Sequence, residues 1–536
     1  MKMKKFFWLL LIFAACMFTA APSEAAIVTI SQYYNGNVYG NSIDGSGTNP
    51  DAVPGNNTLN VTSGSIVAGH AYGGYSFDDA AENNSVNIIN SVVELDITGG
   101  YSYNGVAENN SVDIRGCMAK KDVYGGWSYN AATNNRVTIS NSTVNMEVRG
   151  GYSYNGTTTG NAVVISGGMM SMDICGGVSN GAAGHNSVII SGSTVSRDTY
   201  GGLSYNGAAE NNSVIISDST ANLNVIGGWS KEAATNNSVT ISNSTVNMEI
   251  RGGFSYDSTV TGNSVIINSG TTKSNIYGGY GSGMTGDNSV VINDGTINRD
   301  VYGGLSNNSA ATGNSVTIND GTLNWNIIGG YSNGSADNNS VIINGGAMNM
   351  NVYGGFSYDG TAMNNTVTIS GDPTFGENTT LYGGFRILSG GSADAFTGNT
   401  LNLHSDKVTV AGLKSFQYLN FFLPSGLPTD RAMLAVTGSI DLSGTGIDIA
   451  GIEFAGFKPG DSIKLISSAA GITGTPVIPL NTDIVTSSGS TWRFSLSPEL
   501  SPEYLIATLS LLLTNELDID EVISGDAEEV LYDKDK

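Results

Sequence analysis

Asn84-Ser85-Val86-Asn87-Ile88 is the first full copy of a pentapeptide, Asn-x-Val-x-Ile, that decides how the rest of the chain is read. Its asparagine returns at Asn110, Asn135, Asn161, Asn186, Asn212, Asn237, Asn263, Asn288, Asn314, Asn339 and Asn365, at alternating intervals of 26 and 25 residues. A Gly-Gly pair keeps the same beat from Gly73-Gly74 to Gly354-Gly355, usually followed by an aromatic or aliphatic residue and then Ser. A fixed period of this length marks a stack of repeats. One full unit, GGWSYNAATNNRVTISNSTVNMEVRGG from Gly125, returns at Gly227 with few changes, a shift of 102 residues or four coils. Internal duplication of a four-coil unit accounts for that longer period.

Within each repeat, Val and Ile two residues apart give the alternation of a strand with one buried face. A second run with the same spacing precedes the glycines, as at Val144, Met146 and Val148. Helical spacing is absent, and β-branched residues, Asn and Gly dominate. About 25 residues are too few for a propeller blade. The pattern predicts an all-β fold: a parallel β-helix (β-solenoid) of about 12 to 13 coils with 25/26-residue repeats, followed by a β-rich C-terminal cap. In such a stack the asparagines form a structural ladder in register, with apolar columns beneath them, at about 4.8 Å per coil. The Gly-Gly pair is expected at a tight corner that needs positive φ or close backbone approach.

The expected organisation is a signal peptide at 1–25, an N-terminal cap at 26–56, the β-helix at 57–395, a β-rich domain at 396–513 and an acidic flexible tail at 514–536. Met1-Lys2-Met3-Lys4-Lys5, the apolar run Phe6 to Ala21 and the small residues around Ala25 describe a secretory leader cleaved after Ala25. That run is short for a spanning helix, and Cys16 lies inside it, which disfavours a lipidation site. No later stretch is long and apolar enough to cross a bilayer as a helix. The tail from Glu516 to Lys536 carries nine carboxylates against Lys534 and Lys536, a net of about -7, and suits a solvated end.

The net charge of -24 lacks the basic footprint of a nucleic-acid binder and reads as solubility for an exported rod. Cys117 and Cys175 stand two coils and a few residues apart, beyond disulfide reach, and His70, His185 and His404 are scattered and read as surface loop residues. Charged pairs such as Lys121-Asp122, Arg197-Asp198, Arg299-Asp300, Glu147 with Arg149 and Glu249 with Arg251 recur with the repeat and read as solvated strand-edge pairs. No metal, phosphate-loop or nucleophile-elbow motif is present, so no catalytic residue, metal site or cofactor is assigned. Tyr75, Tyr101, Trp127, Tyr152, Trp229 and Phe254 form a candidate binding stripe for glycans or proteins, against the commoner reading of packing over the glycines.

Beyond Phe385 the beat fails. NTLNL at Asn399, QYLNFFLP at Gln417, MLAVTGSIDLSGT at Met433 and KPGDSIKLI at Lys458 resemble the passenger region of bacterial autotransporter proteins near its junction with the membrane barrel. The resemblance implies a β-helix exported to the surface of a bacterium with an outer membrane. The chain departs from that pattern after Thr514, where the residues for a barrel of at least eight strands are not found. A separate outer-membrane translocator is therefore an expected partner, beside host or matrix glycans and proteins. The leading expectation is an exported, non-catalytic structural or adhesin-like passenger at the cell surface, outside the cell or in the periplasm. The alternative is a β-helix polysaccharide lyase or hydrolase, which needs a local break in the repeat presenting clustered charged groups. A third reading, a regular hydroxyl array binding ice, is disfavoured because outward Thr and Ser are irregular.

Overall fold

The computed structural model describes residues 26–40, 43–44, 55–62, 64–388, 393–424, 427, 430–452 and 462–477, and the backbone of the strands Thr482–Val485, Thr491–Leu496 and Tyr504–Leu512. The expected leader at 1–25, the expected tail at 514–536 and part of the expected cap at 26–56 lie outside the described residues.

One coil shows how the sequence makes the fold. In Arg136–Val144 the apolar residues Val137, Ile139 and Val144 are fully buried, while Thr138 and Thr143 face outward. Asn141, at φ 47°, supplies the left-handed bend between the two halves of this strand. A short turn leads to Val148–Ser153, which carries the glycine pair, and a second turn leads to Thr157–Thr159. The coil closes at Gly160, φ 69°, immediately before the ladder residue Asn161. The same closing position holds Asn134, His185 and Asp287 in other coils, all at positive φ, residue types that accept this conformation better than most.

In the repeat body strands pair in parallel with their own copies one coil away: Val112 with Val137 and that with Val163, Val123 with Val148 and that with Ile174, Ala107 with Ala132 and that with Thr158. Three long sheets result, of 27, 16 and 11 strands. They enclose a single apolar core that runs from Ile30 to Ile472. The chain is thus an all-β parallel β-solenoid of about 15 turns, with a repeat near 26 residues and no helix among the described residues. At one strand spacing per coil it is a rod about 70 Å long. Among the described residues no helix is long and apolar enough to cross a membrane.

Four expectations need correction. First, 12 to 13 coils becomes about 15, because end coils keep the parallel pairing after losing the pentapeptide. Ile27–Ile30 already pairs with Thr58–Val61, so the region expected as an irregular cap contributes a coil. Second, the parallel register continues past residue 395, through Thr400–Leu403, Tyr418–Leu423 and Gly446–Ile452. Antiparallel pairing is confined to the two ends, to Asn37–Tyr39 with Ile43–Asp44 and to the last strands, where Ser462–Ser468 meets Tyr504–Leu512. Third, each coil of the repeat body has a third short side, from Ala81–Glu82 to Ala336–Asp337, which two-residue strands leave without a readable alternation. Fourth, the Gly-Gly pair lies inside a strand and has no positive φ. Close approach alone demands glycine there. A Cβ on Gly125 would stand 2.4 Å from the carbonyl oxygen of Gly150 in the next coil, and one on Gly126 would stand 2.4 Å from Cγ of Asn135.

Candidate functional site

The asparagine ladder is continuous from Asn57 to Asn399. At Asn135, Nδ2 donates to Oδ1 of Asn161 at 2.9 Å and to the Ala107 carbonyl at 2.9 Å. The Oδ1 atom of Asn161 also accepts the main-chain N–H of Asn135 at 2.9 Å. The arrangement repeats coil after coil, and the twelve pentapeptide asparagines are 0 to 1% exposed. A buried amide with its hydrogen-bonding groups engaged in this way has nothing left for a ligand. The ladder ties the closing corner to the third sheet, and the second glycine of each pair leaves the room it occupies.

The inward serine of the glycine strand is equally committed. Ser128 Oγ donates to the Gly105 carbonyl at 2.8 Å and accepts the Ala131 N–H at 3.1 Å. Its copies from Ser102 to Ser357 are buried in the same column, with Gly281 standing in for one of them.

Outside the same sheet stands the aromatic stripe. Tyr75 and Tyr101 stack at 4.8 Å with 4° between planes, Tyr101 and Trp127 at 4.3 Å with 5°, and Trp127 and Tyr152 at 6.0 Å with 27°. Val178 and Leu203 then interrupt the column, and Trp229 stacks on Phe254 at 6.1 Å. All six rings are half-buried. Near-parallel stacking along the axis means that interior rings spend both faces on neighbours and show solvent their edges. Sugar stacking uses a free ring face, so the interior of this stripe is packing. Burial pushes the Tyr101 hydroxyl up to about 12, so it stays neutral at ordinary pH.

The recurring charges are not solvated strand-edge pairs throughout. Arg149 pairs with Glu147 and Arg251 with Glu249, and the arginine side chains are only 18% and 16% exposed. The Arg149 guanidinium lies 4.8 Å from the Tyr152 ring, and Arg251 lies 4.6 Å from Phe254 and 4.8 Å from Tyr280. Each arginine occupies a place in the column beside the rings and continues the stack as a flat cation.

Asp96, Asp122, Asp173 and Asp198 stand in one column at the turn before the glycine strand, where each accepts a main-chain N–H from a neighbouring coil. Burial raises the carboxyl groups of Asp122 and Asp173. Burial also acts upward on Asp96, but the hydrogen bond and charge of His70, with the Asp122 N–H and the Lys121 charge, together hold that group low. His70 sits in the turn before Ala71–Ser76 as expected but is half-buried, its Nδ1 3.2 Å from the Asp96 carboxylate. His185 is at the exposed closing corner, and His404 stacks on Phe422 at 3.9 Å. Among the described residues no three His, Cys, Asp or Glu side chains are grouped to hold a metal.

Cys117 and Cys175 are buried free thiols in different columns. Cys117 replaces a serine in the first sheet and accepts the Ser91 N–H. Cys175 packs with Val178 and Leu203 under the outer rings, where burial pushes its thiol up to about 12.

The residues singled out from the sequence are thus brought together by stacking of like on like, with no convergence of unlike groups. What the sequence reading missed is the left-handed closing position, whose signal was the run of Asn, Gly and Asp before each ladder asparagine. Comparison with family models and with curated proteins gives no match. The likeness to passenger regions therefore rests on the architecture, a parallel β-solenoid.

Proposed function

We propose that this chain is an exported, non-catalytic structural or adhesin-like passenger of a bacterium with an outer membrane, displayed at or beyond the cell surface. One observation carries the reading. In the repeat body the ladder asparagines, the inward serines and the turn carboxylates are hydrogen-bonded to the backbone or to their own copies in neighbouring coils. Such a body transmits length and stiffness and presents long uniform faces, which suits a spacer or adhesin better than a hydrolase. Its acidic surface keeps parallel rods apart in solution.

The test is expression of the full chain in an outer-membrane bacterium, with and without a candidate translocator, followed by protease shaving of intact cells and adherence to immobilised matrix proteins and glycans. Protease-sensitive chain on intact cells and a gain in adherence are expected. A chain confined to the cytoplasm, or release of new sugar ends from a polysaccharide by the purified chain, overturns the reading.

A further inference from the structure

The clearest break in coil-to-coil repetition lies on the third side of the rod, at the end of the periodic body. There the segment 394–397 forms the last layer: Ala362 N–H donates to the Asp394 carbonyl at 2.8 Å and Asn364 N–H to the Thr397 carbonyl at 3.0 Å. The next coil omits this side. It advances only 18 residues, from Asn402 to Asn420, where the step from Asn365 to Asn399 takes 34. After Gly412–Lys414 the chain turns at once through Ser415, φ 59°, and joins the first sheet at Tyr418. A serine at positive φ is uncommon and marks a backbone forced to skip a layer. Ile440–Asp441, paired in parallel with Ile472–Thr473, then lies over Gly412–Lys414.

Between these layers is an open notch of about 470 Å³, bordered by Phe396, Leu413, Lys414, Ser439, Asp441 and Thr473. That volume falls in the range of small-molecule sites. The missing layer has the thickness of one strand, yet the notch does not suit an added peptide strand. The N–H groups of Phe396 and Thr397 already donate to the Asp394 carboxylate at 2.6 and 3.0 Å, and Gly398 N–H donates to the Gln417 side chain at 2.6 Å. The edge that strand addition would use is therefore occupied.

What the notch offers is side chains. Asp441 Oδ1 accepts the N–H and hydroxyl of Ser443 at 2.9 and 2.7 Å, and these bonds hold its carboxyl low, so it stays ionised. Lys414 Nζ lies 5.8 Å above the Tyr382 ring at the end of the glycine sheet. One ammonium and one carboxylate face the same space and cancel, so the field selects neither anion nor cation. Ser439 and Thr473, both exposed, line the notch with hydroxyls, that of Thr473 already donating to the Ile440 carbonyl at 3.1 Å, and Phe396 gives it an apolar surface beside the nearly buried Leu413. A pyranose ring has this division, with C–H groups on a face and hydroxyls around the rim.

We infer that this notch binds a neutral pyranose, the terminal residue of a glycan, with Asp441 and Lys414 bonding its hydroxyls and Phe396 meeting its C–H face. The site rests on the adhesin reading for its biological meaning and on its own geometry for its chemistry.

Saturation-transfer NMR of the full chain with the methyl glycosides of glucose, galactose, mannose and N-acetylglucosamine tests it. At least one is expected to receive saturation, and Asp441→Asn weakens it about tenfold, the loss of one charge-assisted hydrogen bond. Ser439→Trp, which fills the notch, abolishes the signal, while Tyr101→Ala in the ring column leaves it unchanged. Circular dichroism checks that each variant is folded. Because Asp441 is exposed and Asn is its isostere, that variant decides the matter even if the tryptophan disturbs folding. No saturation of any of the four glycosides, equal binding by the Asp441→Asn chain, preference for methyl glucuronide, or capture of an extended peptide in place of sugar overturns the inference. A chain that adheres to surfaces without binding these sugars refutes the notch alone. A chain that binds them yet never leaves the cell refutes the surface reading alone.

Discussion

The body from Asn57 to Asn365 and the end from Asn399 to Ile472 share one parallel register but solve the burial problem in opposite ways. In the body, ladder asparagines lie buried beside Val and Ile, each bonded to its copies at the 25/26-residue beat. In the end region the step shrinks to 18 residues between Asn402 and Asn420, and a register shift follows between Phe421 and Phe422. The buried positions there are taken by larger groups, among them Leu401, Leu419, Phe421 and Ile447. The contrast has a physical cause. A directional bond can fill a core only where the period places its partner without fail. Where the period varies, only non-directional apolar contact tolerates the change. The same variation opens the notch at Ser439 and Asp441.

The largest effect separating the regions from any surface change is a charge in the apolar column. Ile241 is fully buried between Ile216 and Ile267, so Ile241→Asp should destabilise the body by about 5 kcal/mol, since an unpaired buried charge has no partner. Lys231→Ala, at an exposed turn, should change the denaturation midpoint little. Equal effects in urea unfolding would show that the column is not a core.

Next in size is the ladder itself. Asn212→Ala removes the acceptor for the N–H and Nδ2 of Asn186 and the donor to the Ala183 carbonyl. Several buried groups are then unsatisfied, for a loss on the order of 4 kcal/mol. In the end region Asn420→Ala removes one bond to Asn402 on a half-buried face, for about 1 kcal/mol. Hydrogen exchange should show the difference locally, with coils around Asn212 opened and those around Asn420 nearly unchanged. Similar losses at both sites would break the comparison.

The glycine pair supplies a finer version. The three atoms nearest a Cβ on Gly202 all belong to the Asn212 side chain, the closest at 2.3 Å. Gly202→Ala should therefore displace the amide and resemble Asn212→Ala, and the double variant should be no less stable than either single one. Additive losses would mean that the glycine serves the backbone and not the asparagine.

These sites also mark how far the sequence could be read. The first-sheet strands were legible because Val and Ile alternate in every copy, and the ladder because Asn recurs at a fixed offset from them. The third side was not, because strands as short as Ala234–Thr235 show no alternation. The glycines were read as a corner needing positive φ or close backbone approach, and only the second holds. Their real constraint is contact with the next coil and with an asparagine some ten residues later, which no local pattern reveals. The Arg149 and Arg251 pairs were read as solvated because charge was weighed and the neighbouring rings were not. The notch was invisible for another reason: it is made by an omitted strand, and only three-dimensional layering shows an omission.

The smallest expected effect lies within the body, among carboxylates of one turn column. Asp122 and Asp173 have carboxyl groups raised by burial, whereas on Asp96 burial is outweighed by the hydrogen bond and charge of His70 together with the Asp122 N–H and the Lys121 charge. A carboxyl that is raised in the folded chain binds protons there more readily than in the unfolded chain. Stability from Asp122 and Asp173 should thus fall as pH rises through their folded values and recover on acidification. A lowered carboxyl does the reverse, so the contribution of Asp96 is present above its unfolded value and is lost as pH falls through its folded one. Asn224, Asn275, Asn326 and Asn351 occupy equivalent places, and Asn224, Asn275 and Asn351 accept the same kind of main-chain bond without a charge. Asp122→Asn and Asp173→Asn should then preserve the turn, raise the melting temperature slightly at pH 7 and lose that advantage toward pH 4. Asp96→Asn should lower the melting temperature at pH 7, with the deficit shrinking in acid. Calorimetric melts of the three variants, each taken as a difference from the parent chain at every pH, separate these signs from all other titrating groups. If the three differences share one sign at pH 7, the column acts as a single acidic surface, and His70 does not set Asp96 apart from its copies.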